Sequence, residues 1–273
     1  MSKLSVSVLI IAQNAAYSLR RCLDSLTAFD EVVLVDGGSR DATLEIAKEY
    51  PNVKVYQNPW PGFIAQRNFS IDQASHPWCF MMDADEAVTP EVVEEIARVI
   101  ASSEAKKLYR IVRTEYFEGE AIEFAYGRSD YQERLFQTKH IRYTGGNHHE
   151  HLIDGRLAKP GDSEMGDFNP KLRILHWPHY GIDDWIKKLP RFIVLVAEEK
   201  IERGKRASAF VVLATLFGTF FQVYAKSWRQ GKVGFVISVS EACYRTLVKI
   251  NMYTKKNVRK DRSKSNFEQQ YLN

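Results

Sequence analysis

The sequence is poor in cysteine, with Cys22, Cys79 and Cys243 as the three cysteines among 273 residues. Their number is odd and their spacing is wide, so the sequence indicates neither a disulfide framework nor a zinc cluster. The first apolar run, residues 4–11, lacks the small-residue cleavage site of a secretion signal, and we expect it to form a buried strand. These features predict a protein of a reducing compartment, the cytoplasm.

Acidic residues are scarce in the C-terminal part of the chain. Residues 226–273 contain eleven lysines and arginines but only three acids, a net charge of +8, which leaves −4 for residues 1–225. Because apolar helical patterns adjoin the basic residues, an anionic lipid surface explains this asymmetry better than nucleic acid does. We therefore expect an anionic membrane surface, and no nucleic acid, among the partners.

Charge is absent from residues 207–225, a stretch of nearly the length that spans a bilayer. Its polar residues recur at helical spacing and share a narrow face, which suits a packed hairpin or a membrane interface better than a lone span. That polar face comprises Ser208, Thr215, Thr219, Gln222, Lys226 and Arg229. A second amphipathic pattern follows at 232–253, with an apolar face of Val236, Val239, Cys243, Leu247 and Ile250. The alternative is a helical subdomain that docks on the sheet or mediates a dimer.

Short apolar runs alternate with helical patterns over the first hundred residues. The apolar runs are 4–11, 31–35, 53–56 and 78–82, and the helical patterns are 17–28, 41–50, 63–74 and 90–101. This alternation predicts βαβ units and an α/β fold with an open, mostly parallel sheet, in which ligands bind beyond the carboxyl ends of the strands. The pattern then becomes strand-like to about residue 153, and from 182 to 253 it is helical, with breaks near Gly204 and Gly231.

Three carboxylates fall where such a sheet places its ligand. Asp36 ends the second predicted strand, and Asp83 and Asp85 end the fourth. Two acids that flank a small residue can present both carboxylates to one side of a turn, an arrangement that suits a divalent ion. Each also has a plain alternative, which is a solvated turn for the pair and a helix-capping acid for Asp36.

Three segments, SVLIIAQN, VLVDGGSRDAT and QRNFSIDQASHPWCFMMDADE, resemble in their order and spacing the family 2 glycosyltransferases, which are inverting enzymes with a GT-A fold. The resemblance covers residues 4–155. It implies that Asp36 accepts a hydrogen bond from the nucleobase and that Asp83 lies near the ribose. It also implies that Asp85 binds the metal, Mg²⁺ or Mn²⁺, that bridges the diphosphate. Arg67 matches a basic residue beside the nucleotide, and its alternative role is that of an exposed helix arginine.

The sequence departs from the family pattern in two places. Ala15 and Ala16 replace the acid that commonly follows the first-strand asparagine, and Gly37 stands where the family frequently has a second aspartate. Asp36 is therefore expected to act alone. Uracil, rather than guanine, is what the resemblance implies for the base.

Four titratable residues stand in a row at 148–151, within the segment TGGNHHEHLIDG. Adjacent residues of a strand point to opposite faces, so only two of the four can converge, and a zinc hydrolase is a poor interpretation. The segment resembles the His-Glu motif of family members that act on lipopolysaccharide cores and related acceptors, with His149 and Glu150 at the matching positions. A single displacement needs a base for the acceptor hydroxyl, and we predict Glu150 in this role, with His149 as the alternative.

Two further residues lie in segments that resemble the same subgroup. Arg134 belongs to an Arg-Leu-Phe strand and is expected to support the site. His176, in HWPHYGIDDW, matches a histidine of the subgroup and is a candidate to complete the coordination of the metal. Its alternative is a capping or packing role at the turn that Trp177 and Pro178 form.

Together these interpretations predict a GT-A catalytic domain at 1–175, a helical, membrane-associated region at 176–260 and a polar tail at 261–273. The expected reaction is inverting transfer of a hexose, glucose by resemblance to lipopolysaccharide core β-glucosyltransferases, from a UDP-sugar to a hydroxyl of a glycolipid acceptor. The expected location is the cytoplasmic face of the cytoplasmic membrane; no oligomeric state is predicted. One alternative is a nucleotidyltransferase, but residues 11–17 lack its glycine-rich loop. The other is a catalytically silent membrane scaffold, against which the intact acids argue.

Overall fold

The computed structural model describes residues 3–117, 120–122, 130–144, 150–159, 161–178 and 182–255. The chain divides into two compact units, one of residues 1–123 and 128–178 and the other of residues 124–127 and 179–273. The strands of the described residues belong to the first unit, and three long helices belong to the second. The polar tail predicted at 261–273 lies outside the described residues.

The first unit begins with the predicted alternation of strands and helices. Its elements are β1 (Leu4–Ala12), α1 (Ala16–Asp24), β2 (Phe29–Asp36), α2 (Thr43–Lys48), β3 (Val53–Gln57), α3 (Phe63–Asp72), β4 (Trp78–Asp83), β5 (Glu86–Ala87) and α4 (Pro90–Ile100). Eight shorter or more irregular strands follow. They are β6 (Leu108–Phe117), β7 (Glu120–Ile122), β8 (Asp130–Gln137), β9 (Ile141–Thr144), β10 (Glu150–Ile153), β11 (Arg156–Leu157), β12 (Met165–Asp167) and β13 (Arg173–His176).

The first helix is shorter than its sequence pattern predicts, ending at Asp24 instead of residue 28. A buried asparagine, Asn52, which immediately precedes β3, accounts for this early end. The side-chain amide of Asn52 donates to the backbone carbonyls of Leu26 and Phe29, each at 3.1 Å. These carbonyls are thereby held in a turn that buries both side chains, and the helix stops before them.

One large sheet carries the strands in the order β3-β2-β1-β4-β8-β6-β13-β5, with β7 and β12 paired to β6. Strand β1 lies between β2 and β4 and is parallel to both, and β2 is parallel to β3. Strand β8 runs antiparallel between β4 and β6, and β9, β10 and β11 form a separate small sheet. The carboxyl ends of β1, β2 and β4 therefore meet at one edge, as the predicted mostly parallel sheet requires.

Alternate residues of β1 bury into two layers, one on each face of the sheet. Val8 and Ile10 join the larger core, which also includes the apolar sides of α1 and α4. Leu9 and Ile11 join the other core, to which α3 contributes Ile71. Because helices cover both faces, β1 reads as a continuous apolar run and not as an alternating one.

A buried carboxylate ties the strands together at the opposite end of the sheet. Glu31, near the start of β2, accepts hydrogen bonds from Lys54 at 2.7 Å, from the Ser75 hydroxyl at 2.7 Å and from the Ser7 hydroxyl. Burial alone would raise the pKa of Glu31, but these donors outweigh it and lower the pKa to about 2. Glu31 is therefore ionised in the folded protein at neutral pH.

The second unit consists of α5 (Ile182–Glu202), α6 (Ala209–Ser227), a single 3₁₀ turn (Trp228–Gln230) and α7 (Gly231–Thr254). The helices part near Gly204 and Gly231, where the sequence pattern breaks, and both glycines have positive φ angles. Helices α6 and α7 pack against each other as a hairpin. By length and composition, residues 209–254 include one stretch that could cross a membrane, and only 11% of its most apolar window is buried.

Candidate active site

The candidate site begins at the carboxyl ends of the three central parallel strands. In the strand register, Ala12 of β1 is the partner of Asp36, and Ile11 is the partner of Asp83. Asp36 and Asp83 thus flank the end of β1, about 10 Å apart by two strand spacings. The topology brings both predicted acids to the edge where sheets of this kind bind ligands.

Asp36 is almost fully buried, and its carboxylate holds the turn that follows β2. It accepts hydrogen bonds from the backbone N–H groups of Gly38 at 3.0 Å and Ser39 at 3.1 Å. Gly38 has a φ angle of +103°, a conformation that residues with a Cβ atom rarely adopt. These bonds hold a turn and not a helix end, since α2 begins at Thr43 with Ala42 as its N-cap. Asp36 is therefore not the helix-capping acid of the alternative, and any nucleobase contact would use the same carboxylate.

Gly37 lies in close contact with an aromatic ring that sequence reasoning did not single out. A Cβ atom on Gly37 would lie 3.1 Å from the Trp60 ring, and the Gly37 carbonyl accepts from the Gln13 side chain at 3.1 Å. Trp60 in turn packs edge-on against Phe63, with ring centroids 4.8 Å apart. The Trp60 ring thus adjoins the space that an aspartate side chain at position 37 would occupy.

The carboxylate of Asp83 accepts hydrogen bonds from two arginines that lie on different elements. Arg67 of α3 donates to one carboxylate oxygen through Nη2 at 3.2 Å, and Arg134 of β8 donates to the other through Nη2 at 3.0 Å. Both arginines are buried, whereas 28% of the Asp83 side chain is exposed. The structure therefore brings together three residues that the sequence predicted separately, and Arg67 is not the exposed helix arginine of the alternative.

Glu86 completes this cluster and was missed by sequence reasoning. It is fully buried and accepts from Arg134 at 2.5 Å, from the backbone N–H of Asp83 at 2.9 Å and from Arg113 at 3.5 Å. Burial raises the pKa of Glu86, and Arg134 opposes the rise. A third acid directly after Asp-Ala-Asp was the available signal, but by sequence alone Glu86 is indistinguishable from a residue of an exposed turn.

Asp85 points to a different partner, the predicted metal ligand His176. The Nε2 atom of His176 lies 3.5 Å from Asp85, and Nδ1 lies 3.8 Å from Glu115 of β6, a residue that sequence reasoning also missed. Burial would lower the pKa of His176, but the two carboxylates raise it to about 9. His176 therefore carries a proton at neutral pH in this arrangement.

The backbone around His176 fixes Asp85 as well. The N–H of Trp177 donates to the carbonyl of Asp85 at 2.9 Å. The Trp177 ring stacks on Tyr116 at 4.9 Å and lies 4.2 Å from the guanidinium of Arg21. These contacts support the packing interpretation of this turn, and the ligand role of His176 stays a prediction. Across the described ranges, no three His, Cys, Asp or Glu side chains form a group that could hold a metal ion.

The predicted base lies at the start of β10, and its side chain is outside the described structure. The backbone of Glu150 pairs with Thr144 of β9, and His149 lies outside the described residues. The neighbouring His151 is buried, with its ring 4.4 Å from that of Tyr143, which also lies 5.2 Å from the Arg67 guanidinium. The small sheet is thus packed against the arginine cluster through Tyr143.

Comparisons with known proteins agree with this architecture. The model of the family described as "Glycosyl transferase family 2" matches residues 7–154. The chain is 28% identical over 264 residues to the lipopolysaccharide core biosynthesis glycosyltransferase LpsC of Rhizobium meliloti (strain 1021), covering 92% of this chain and 93% of that protein. It is 24% identical over 255 residues to an uncharacterized glycosyltransferase of Rickettsia prowazekii (strain Madrid E), covering 89% and 84% respectively.

A solved structure shares the fold. The crystal structure of S. aureus TarS 1-349 in complex with UDP-GlcNAc covers 90% of this chain and 91% of that chain, with a TM-score of 0.51 and 14% sequence identity. This likeness and the family match support the predicted GT-A fold with a C-terminal helical region.

Proposed function

This chain belongs to glycosyltransferase family 2, and from that premise we propose that it moves a hexose, expected to be glucose, from a UDP-sugar to a hydroxyl of a lipopolysaccharide-core-like glycolipid. The anomeric carbon is inverted. That the chain is a glycosyltransferase follows from the family and its relatives. The observation that carries the finer proposal is the pair of buried arginines, Arg67 and Arg134, on Asp83 at the carboxyl edge of the sheet.

The donor end of the reaction needs positive charge where the diphosphate departs. Arg67 and Arg134 are already buried and held by Asp83, so little reorganisation accompanies the reaction. In this proposal Arg67 lies beside the nucleotide, Asp83 near the ribose and Asp36 at the base. TarS was crystallised with UDP-GlcNAc, which supports UDP as the nucleotide.

A divalent metal fits the residues that adjoin Asp85. One carboxylate and one imidazole are too few to enclose an ion, but Mg²⁺ and Mn²⁺ commonly bind through one or two side chains plus substrate phosphates and water. We assign Asp85 and His176 as the protein ligands, and His176 would lose its proton to serve. When bound, the ion would neutralise charge on the leaving diphosphate.

The acceptor end of the reaction needs a base. The acceptor oxygen attacks the anomeric carbon as the bond from that carbon to the UDP oxygen breaks, and the acceptor proton passes to the base. Glu150 is assigned this role and His149 the alternative. We expect Glu150→Gln to bind UDP as the wild type does while its turnover falls by about two orders of magnitude. Full turnover of this variant would exclude Glu150 as the base.

The acceptor class sets the proposed location. LpsC is named for lipopolysaccharide core biosynthesis, and its similarity to this chain extends over nearly the whole length of both. A glycolipid acceptor and the basic C-terminal region support peripheral association with the cytoplasmic face of the cytoplasmic membrane. The division into a catalytic domain at 1–175, a helical membrane-associated region at 176–260 and a tail at 261–273 is part of this proposal.

Calorimetric titration with UDP, UDP-glucose and GDP-mannose, in Mn²⁺ or in EDTA, tests the donor half. We expect UDP-glucose binding in Mn²⁺ that weakens at least about tenfold in Asp85→Ala. Asp30→Ala is the matched control, because this half-exposed aspartate lies at the opposite end of β2. Binding of GDP-mannose alone would overturn the assigned donor. No nucleotide binding under any condition would favour the silent scaffold.

A further inference from the structure

One side of α6 exposes large apolar residues along its whole length. We call this set the α6 stripe, and its members recur every three or four residues, the spacing of one helix face. They are Phe210 (80% exposed), Leu213 (60%), Phe217 (61%), Phe221 (64%), Tyr224 (37%) and Trp228 (57%), the last in the 3₁₀ turn. Scattered exposed apolar side chains need no explanation, but a continuous row of this kind marks an interaction surface.

The other side of α6 carries small and polar residues, and these are the buried ones. Thr219, Val223 and Ser227 face the hairpin interior. The Ser227 hydroxyl donates to the carbonyl of Gly234 in α7 at 3.1 Å and lies 3.2 Å from the Ser238 hydroxyl. Small residues and hydroxyls between helices, with large apolar residues outside, characterise helices packed in lipid and not in water.

Helix α7 extends the exposed apolar surface. Phe235 is 51% exposed, and its ring meets those of Phe220 and Tyr224 at 6.0 and 6.4 Å. The apolar face that the sequence predicts for α7 includes Leu247 and Ile250, which are 38% and 40% exposed. This face therefore does not form the core of the hairpin, and the exposed apolar area spreads over both helices.

Basic residues flank the stripe at both ends. Residues 203–240 contain six lysines and arginines and no aspartate or glutamate. Lys205 and Arg206 precede α6, and Lys226, Arg229 and Lys232 lie at and beyond its C-terminal end, all of them exposed. An apolar row between two exposed cationic groups is complementary to a lipid surface with anionic headgroups.

We propose that the α6 stripe inserts into one leaflet of an anionic phospholipid bilayer, with α6 lying along the membrane surface. The proposal deepens the proposed function, since it identifies the surface that brings the enzyme to a glycolipid acceptor. A fully spanning hairpin fits less well, because Glu241, Arg245 and Lys249 lie along α7. A second copy of the chain also fits less well, because pairing two stripes in either direction sets basic ends against basic ends.

Vesicle binding of the full chain tests the proposal without any need for turnover. We expect binding to phosphatidylcholine vesicles that contain about 30% phosphatidylglycerol, weaker binding to pure phosphatidylcholine, and loss of affinity with salt. Leu213→Ser should lower the partition coefficient several-fold, and Phe217→Ser combined with Phe221→Ser should lower it by more than about tenfold. Leu157→Ser is the matched control, since Leu157 is 42% exposed on the first unit, and it should bind as the wild type does.

Two results would overturn the proposal. One is unchanged vesicle binding by the double variant. The other is a wild-type dimer in sedimentation velocity that becomes monomeric in the double variant while neither binds vesicles, which would make the stripe an interface between copies. Circular dichroism of the same variants reports on the folding of the helices of the second unit, in which these exposed residues lie, and UDP titration reports on the first unit. If the wild-type protein bound vesicles but not UDP, the proposed function would be refuted and the proposal for the α6 stripe would be supported.

Discussion

Replacing Glu86 by glutamine keeps the shape of the side chain and removes its charge. In the structure both carboxylate oxygens are in use: Oε1 accepts from Arg134 and Arg113, and Oε2 accepts from the backbone N–H of Asp83. Glutamine offers one oxygen and one NH₂ group. The NH₂ group of glutamine must therefore face either the arginines or the backbone N–H of Asp83, which are all hydrogen-bond donors, in a site from which water is excluded.

The expected cost can be worked from the burial of the pair. Breaking a buried ion pair from one side costs about 3–5 kcal/mol, because a charge is left without its partner. Arg134 is 3% exposed but keeps its bond to Asp83 at 3.0 Å, so we expect the lower end, about 3 kcal/mol. For a unit of this size that loss corresponds to a fall in Tm of about 6–12 °C.

Urea unfolding followed by circular dichroism measures this loss, and a double-mutant cycle with Arg134→Met isolates the pair. The control is Glu95→Gln, which removes the partner of Arg98 in an exposed pair on α4 and should cost less than about 0.5 kcal/mol. A loss below about 1 kcal/mol in Glu86→Gln, similar to the control, would refute the reasoning. It would mean that Glu86 is protonated in the folded protein and is not the counter-ion of Arg134.

Three further predictions concern other parts of the fold. Gly234→Ala places a Cβ about 2.0 Å from a backbone oxygen of α6, and thermal melts should show that it destabilises the hairpin by at least about 2 kcal/mol. Gly218→Ala is the control, because a Cβ there meets open space and should cost little. Equal effects of the two substitutions would contradict the packing of α6 against α7. The lowered pKa of Glu31 should supply about 3 kcal/mol of stability above pH 4.5, and this stability is lost as the pH falls towards 2. The unfolding free energy of Glu31→Gln should lack this pH dependence. The same pH dependence in the variant and the wild type would contradict the assignment to Glu31. A thiol reagent should label the exposed Cys243 rapidly and Cys79 only after unfolding. Burial shields the Cys79 thiol and raises its pKa to about 12. Equal labelling rates for the two cysteines in the folded protein would show that Cys79 is not buried.

Much of the first unit could be predicted from local pattern. The runs that became β1, β2 and β4 are apolar because helices cover both faces of the sheet there, and this property is visible in the local sequence. The positions of Asp36, Asp83 and Asp85 at strand ends follow from the same runs, so their gathering at one edge needed only the rule for parallel sheets. The roles of Glu150 and His149 stay predictions.

The partners of these acids could not be predicted in the same way. Asp83 and Asp85 are two residues apart, yet one binds Arg67 and Arg134 while the other lies beside His176. The partners depend on strand order, since β8 lies beside β4 and β13 pairs with β5. No local pattern records that order.

The helical region shows the same division. The spacing of the polar residues in and around 207–225 predicted a helix with a narrow polar face and an apolar remainder, because helix periodicity is a local property. The observed helix is Ala209–Ser227. Which side of this helix is covered depends on how α7 packs against it, and the local pattern did not predict that. Gly234 allows α7 to approach Ser227 closely, so the hairpin buries the small and polar residues and leaves Phe217 and Phe221 outside. An amphipathic pattern indicates that the two faces of a helix differ, but the neighbouring helix determines which face is buried and which remains exposed.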